Sequence, residues 1–108
     1  MRDYGWYVYV IQAGKNGPIK IGAATDPRRR LEQLQTGSAD RLHLVKVFDG
    51  GTELERELHR RLSKYRLHGE WFESSREVAK LLCAAVDEWA AGEDDRIQAR
   101  LAMLSDLQ

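Results

Sequence analysis

The segment Trp6-Tyr7-Val8-Tyr9-Val10-Ile11 constrains the fold more than any other part of the chain. Aromatic and β-branched residues fill it, and these suit a pleated strand. Both alternating sets are apolar: Tyr7, Tyr9 and Ile11 on one side, Trp6, Val8 and Val10 on the other. A strand with two apolar faces belongs inside a sheet covered on both sides. Gly14 to Pro18 reads as a turn and Ile19 to Ala23 as a second, antiparallel strand. A turn centred between Lys15 and Asn16 sets Tyr9 opposite Gly22 and Lys20 opposite Ile11. Tyr9 and Lys20 then become diagonal neighbours on one face.

The remaining elements follow from periodicity and caps. Thr25-Asp26-Pro27 is a helix start, with Pro27 where its missing N–H costs nothing. That helix should run to about Gln35, with Gly37 ending it in a left-handed turn. Leu42 to Phe48 reads as a third strand, broken by Asp49-Gly50-Gly51. Thr52-x-x-Glu55 fits a capping box opening a second helix that runs to about Leu62. Gly69 to Phe72 is a short extended segment, and Ser74-x-x-Glu77 is another capping box. Val78, Leu81, Leu82, Ala85 and Trp89 mark one face of a third helix, which Gly92 interrupts. The order is ββαβαα: an α+β domain with a three-stranded antiparallel sheet and flanking helices. Residues 1–92 form one domain. Residues 93–108 form a helical tail, with Ile97, Leu101 and Leu104 on one face, packed on the domain or used for a homodimer.

Charge qualifies this picture. The 108 residues carry 17 basic and 17 acidic side chains, but residues 1–70 hold 13 and 9, and residues 71–108 hold 4 and 8. Basic residues cluster at Arg28, Arg29 and Arg30, and again at Arg60, Arg61, Lys64 and Arg66. The first two-thirds could face a polyanion; the plainer alternative is two solvated helix faces. No apolar run approaches the ~18 residues that span a bilayer. No apolar stretch follows the charge near Met1, so neither membrane nor secretion is expected, and the expected location is cytoplasmic. The single cysteine, Cys83, excludes an internal disulfide and a cysteine-rich zinc site.

Several side chains could carry chemistry. Leu31 and Leu34 define the inner stripe of the first helix, and Arg30 lies at its rim, with Arg28 and Arg29 further out. Leu54, Leu58 and Leu62 recur at helical spacing on the second helix. At roughly 100° per residue, Glu55 lies about 60° from the centre of that stripe, Glu57 about 100° and Glu53 about 140°. Glu55 is thus the most inward acid, and His59 follows one turn later; such a pair could share one metal or water. Each residue also has a purely structural reading: Lys20 as a solvent-facing strand residue, Tyr9 as core, Arg30 as an amphipathic stem, Glu55 as a cap and His59 as surface.

These positions resemble the GIY-YIG endonuclease superfamily. The first motif appears as Tyr7-Val8-Tyr9 and the second as Lys20-Ile21-Gly22, with Arg30 eight residues after Gly22. Glu55 lies in Leu54-Glu55-x-x-Leu58-His59, where the family carries its metal-binding glutamate. Small stand-alone bacterial and phage look-alikes share the Lys-Ile-Gly motif and a Gly-Glu-Trp-Phe segment, here Gly69 to Phe72. The resemblance covers about residues 5–80. Tyr7 replaces the glycine of the first motif and Lys20 the tyrosine of the second.

The resemblance implies hydrolysis of DNA phosphodiesters with one divalent cation, Mg²⁺ or Mn²⁺. It makes Tyr9 the general base, whose pKa a nearby cation such as Lys20, or metal-bound water, would lower; in the hairpin register Gly22 opposite Tyr9 leaves room for a phosphate. Arg30 would bind phosphate, Glu55 would hold the metal, and His59 would be a second candidate for proton transfer. Arg28, Arg29, Arg60, Arg61 and Lys64 would contact the DNA backbone. The alternative is a non-catalytic nucleic-acid-binding module on the same fold.

Overall fold

A computed structural model describes residues 5–92 together with residue 102. Among the described residues five strands and three helices follow one another: β1 (Tyr7–Ala13), β2 (Ile19–Ala24), α1 (Pro27–Thr36), β3 (Leu42–Asp49), α2 (Thr52–Arg61), β4 (Arg66–His68), β5 (Trp71–Phe72) and α3 (Arg76–Ala91). A 3₁₀ turn over Ser63–Tyr65 links α2 to β4. The tail expected over residues 93–108, and any self-association through it, falls outside the described residues apart from residue 102. Among the described residues no helix is long and apolar enough to cross a membrane.

The strands form one antiparallel sheet in the order β3-β1-β2-β5-β4. It has five strands where the sequence suggested three. The added pair is three and two residues long, too short to display an alternating pattern. The β1–β2 register sets Tyr9 opposite Gly22 and Ile11 opposite Lys20, as the turn geometry required. Gly14 holds φ at +62° in that turn. A side chain at Gly17 would meet the Ala13 carbonyl oxygen at 2.2 Å, so both turn glycines are needed.

Both faces of β1 are covered. Val8 and Val10, with Ile19, Ile21 and Phe72, pack against Leu54 and Leu58 of α2, Leu62 at its C-terminal cap, and Val78, Leu82 and Ala85 of α3. Leu54, Leu58 and Leu62 are fully buried, each stabilising the fold by about 1.5–3 kcal/mol. The opposite face is thinner. Tyr9, Ile11, Ala13 and Leu42 are buried there, with Leu31 and Leu34 of α1 half-buried over them. Leu81, placed on the inner face of the third helix from its spacing, is exposed.

The helix ends refine the reading from sequence. The Asp26 side chain accepts from the Arg29 N–H at 3.1 Å, with Pro27 at the first helical position. Gly37 closes α1 with φ −97°, outside the left-handed region. The cap of α2 is Gly51 and makes no side-chain hydrogen bond, so Thr52 and Glu55 form no capping box. The cap of α3 is Ser75, which accepts from the Val78 N–H at 3.1 Å. Ser74 is therefore free to accept from Gln12 Nε2 at 3.0 Å.

Candidate active site

β2 is paired along its length on one side only. β5 meets its outer edge at Ile19 and Lys20 and then ends. Beyond that point the Ile21 N–H donates to the Glu70 carbonyl at 3.0 Å. The Ile21 carbonyl accepts no strand partner; His59 Nε2 reaches it from α2 at 2.8 Å. This break in the sheet lets α2, which packs on one face, deliver side chains toward groups on the other.

His59 is fixed on three sides. A carbonyl can only accept, so Nε2 carries the proton. Arg66 Nη2, which can only donate, lies 3.4 Å from Nδ1, the ring's other nitrogen. The ring also stands edge-on to Phe72, with centroids 5.1 Å apart.

Glu55 projects beside it, one Oε1 lying 3.8 Å from His59 Nε2. Its side chain is 18% exposed. Burial, then a hydrogen bond with the Glu70 carboxyl and that group's negative charge, push Glu55 up to about 7, against the pull of Lys20 and Arg56. Burial also acts to raise Glu70, but the Lys20 ammonium and the hydrogen bond with Glu55 together hold it below the usual carboxylate range. The shared proton therefore rests on Glu55 and the charge on Glu70. Lys20 Nζ lies 3.0 Å from Glu70 Oε1 and 5.6 Å from the centre of the Trp71 ring.

Tyr9 is 2% exposed. Its phenol covers Gly22 so closely that a Cβ there would meet the hydroxyl oxygen at 2.3 Å. The space above Gly22 thus belongs to the phenol and is not open to a phosphate. Burial raises the Tyr9 hydroxyl above its ordinary range; the Arg30 guanidinium beside it offsets only part of the rise. This corrects two expectations. The cation at the phenol is Arg30, because Lys20 is engaged by Glu70. The resting phenol also holds its proton more tightly than a free tyrosine.

Tyr9 and Arg30 thus meet from β1 and α1, while Lys20 meets Glu70 and His59 meets Glu55 from β2 and α2; the charges of Glu70 and Glu55 reach the Tyr9 phenol and join the two groups into one site. Arg28 and Arg29 lie exposed on α1. Arg60 and Arg61, at the end of α2, bind Glu57, and Arg61 also binds Glu88 of α3. Lys64 lies over the Tyr65 ring at 5.5 Å. Two members of the site were not singled out from sequence. Glu70 precedes an aromatic pair in the Gly69–Phe72 segment, and that placement of an acid beside a strand was the available signal. Arg66 appeared only as one of a basic cluster.

The sequence model of the T5orf172 domain matches residues 6–90. The chain belongs to the T5orf172 domain family. Neither a curated protein nor a solved structure matches it. Every residue of the cluster, from Tyr9 through Trp71, falls within the T5orf172 match.

Among the described residues no group of three or more His, Cys, Asp or Glu side chains is arranged to enclose a metal ion. The Glu55 and Glu70 carboxyls are the side chains of the site that could hold a hard divalent cation. Mg²⁺ is commonly held by one or two carboxylates, with water and phosphate completing its shell.

Proposed function

We propose that this T5orf172 domain is a divalent-metal-dependent DNA endonuclease with a GIY-YIG-like arrangement of side chains. The observation that carries the reading is the convergence of a tyrosine, an arginine and a proton-sharing carboxyl pair from separate elements. Such a group contains what phosphodiester hydrolysis needs: a proton acceptor, a phosphate clamp and an anionic cradle for a cation.

Each residue has a task in this reading. Arg30 offers its guanidinium to two phosphoryl oxygens and stabilises the charge that gathers on them. Glu55, assisted by Glu70, holds Mg²⁺ or Mn²⁺, which when bound supplies Lewis-acid polarisation of a phosphoryl oxygen. Lys20 keeps the Glu70 carboxyl ionised and aimed at Glu55. Tyr9, as phenolate, accepts the proton of the attacking water. Because burial raises its pKa, the phenolate is scarce at neutral pH, and the rate should climb with pH. His59 fixes the α2 side of the site through the Ile21 carbonyl, and it replaces Tyr9 as proton acceptor if the phenol proves dispensable.

The test is nicking of supercoiled plasmid with Mg²⁺ or Mn²⁺, a chelator control and the Glu55→Gln variant. The reading expects metal-dependent nicking that disappears in the variant. DNA binding with no nicking in either metal would overturn the catalytic part and leave a non-catalytic nucleic-acid-binding module.

A further inference from the structure

Arg66 differs from Arg60 and Arg61 at the end of α2. Arg60 and Arg61 are neutralised by Glu57, and Arg61 also by Glu88. Arg66 has no carboxylate at ion-pair distance among the described residues. An exposed arginine usually extends into water or finds an acid. Arg66, on the outermost strand β4, turns its head back over the sheet. Its guanidinium carbon lies 5.6 Å from the centre of the buried Phe72 ring, and one Nη lies 3.4 Å from His59 Nδ1.

This geometry leaves most of the donors unused. A guanidinium carries five N–H donors, and the imidazole nitrogen can accept one. The aromatic ring beneath and the histidine at the side restrict the head, so less conformational freedom is lost when it binds an anion. A single imidazole ring separates it from the Glu55 carboxyl, because His59 touches both. Arg30 lies on the Tyr9 side of the same site. Two guanidinium groups thus stand on separate flanks of the carboxyl pair, on α1 and on β4.

We propose that Arg66 binds a DNA backbone phosphate neighbouring the one held at Arg30, and so sets the path of the strand across the β4 side of the site. The inference rests on the endonuclease reading for the identity of the polyanion, though not on cleavage itself. Arg66 is a binding residue here, and the attached His59 ring ties its position to the sheet edge.

The experiment uses the full chain with chelator present, so that binding is read without cleavage. Anisotropy of a short fluorescein-labelled duplex gives Kd across a range of salt for the unmodified chain, Arg66→Gln and Arg66→Lys. Arg66→Gln should weaken binding about five- to tenfold and lower the slope of log Kd against log salt by about one, the signature of one lost phosphate contact. Arg66→Lys should keep the slope and recover only part of the affinity, since an ammonium lacks the fork. A methylphosphonate walked along the strand should find one position that weakens the unmodified chain but costs Arg66→Gln nothing further. An Arg66→Gln variant with unchanged Kd and slope would overturn the proposal. So would weaker binding at unchanged slope, which would assign Arg66 to supporting His59. Absence of DNA binding by the unmodified chain would overturn this proposal and the endonuclease reading together. Binding without nicking in metal would overturn only the latter.

Discussion

Glu55→Gln should make the protein more stable at about pH 8 and leave it little changed at about pH 5. The reason is the carboxyl's environment. Folding raises Glu55 from 4.5 to about 7, so the folded state favours the neutral acid. The stability contributed by the protonated form is complete below the unfolded value and is lost as pH rises through about 7. A tenfold change in proton affinity corresponds to about 1.36 kcal/mol, which sets a ceiling of about 3 kcal/mol for this carboxyl. Water reaches part of it, so a realistic gain is about 1–2 kcal/mol. Glutamine keeps the shape, can donate its amide N–H to Glu70, and never ionises. The structure offers no cap that the change would spoil, since α2 begins without a side-chain cap bond. Thermal or urea unfolding in chelator at the two pH values provides the assay, with an expected rise in Tm of about 5–10 °C at the higher pH. Glu70 titrates in the opposite sense and at lower pH, leaving this window to Glu55. A variant destabilised equally at both pH values would refute the shared-proton geometry.

Three further outcomes are expected. Gly22→Ala should displace the Tyr9 phenol, because the new methyl would lie 2.3 Å from its oxygen; a stability loss of about 1–3 kcal/mol by urea unfolding should accompany loss of nicking. Tyr9→Phe should fold normally and still bind a labelled duplex while nicking falls at least about a hundredfold; full activity would remove the phenol as proton acceptor. Lys20→Met strips the cation from the carboxyl pair, whose members then hold their protons more tightly. The acidic limb of the pH–rate profile should move to higher pH, and an unmoved limb would show that Lys20 does not act on the pair.

The parts of this structure legible in sequence are those governed by local spacing. Turn position fixed the pairing of Tyr9 with Gly22, and the Leu54-Leu58-Leu62 stripe identified the buried face of α2 and Glu55 as its inward acid. The Asp26-Pro27 start of α1 was equally local. What sequence left hidden depends on distant partners. Lys20 lies diagonal to Tyr9 in the hairpin, yet it is taken by Glu70, fifty residues on. The capping box at Thr52 had the right letters, but Gly50 and Gly51 let the chain enter the helix one residue earlier. β4 and β5 become strands by joining an existing edge, and three residues with one apolar side chain carry no period of their own.

The one-sided pairing of β2 also orders events in time. Tyr9 and Gly22 are 13 residues apart and meet through a tight hairpin, which closes quickly on its own. Lys20 and Trp71 are 51 residues apart, and loop-closure entropy delays contacts of that separation. The tyrosine half should therefore assemble early, and the carboxyl pair only when β5 docks as a late step. The same two-residue contact should be the first to open in the native protein. Hydrogen exchange at the Ile21 amide, which is held by the Glu70 carbonyl, should then run ahead of exchange within the β1–β2 hairpin. The site would come apart at its acidic half while the rest of the sheet stays closed.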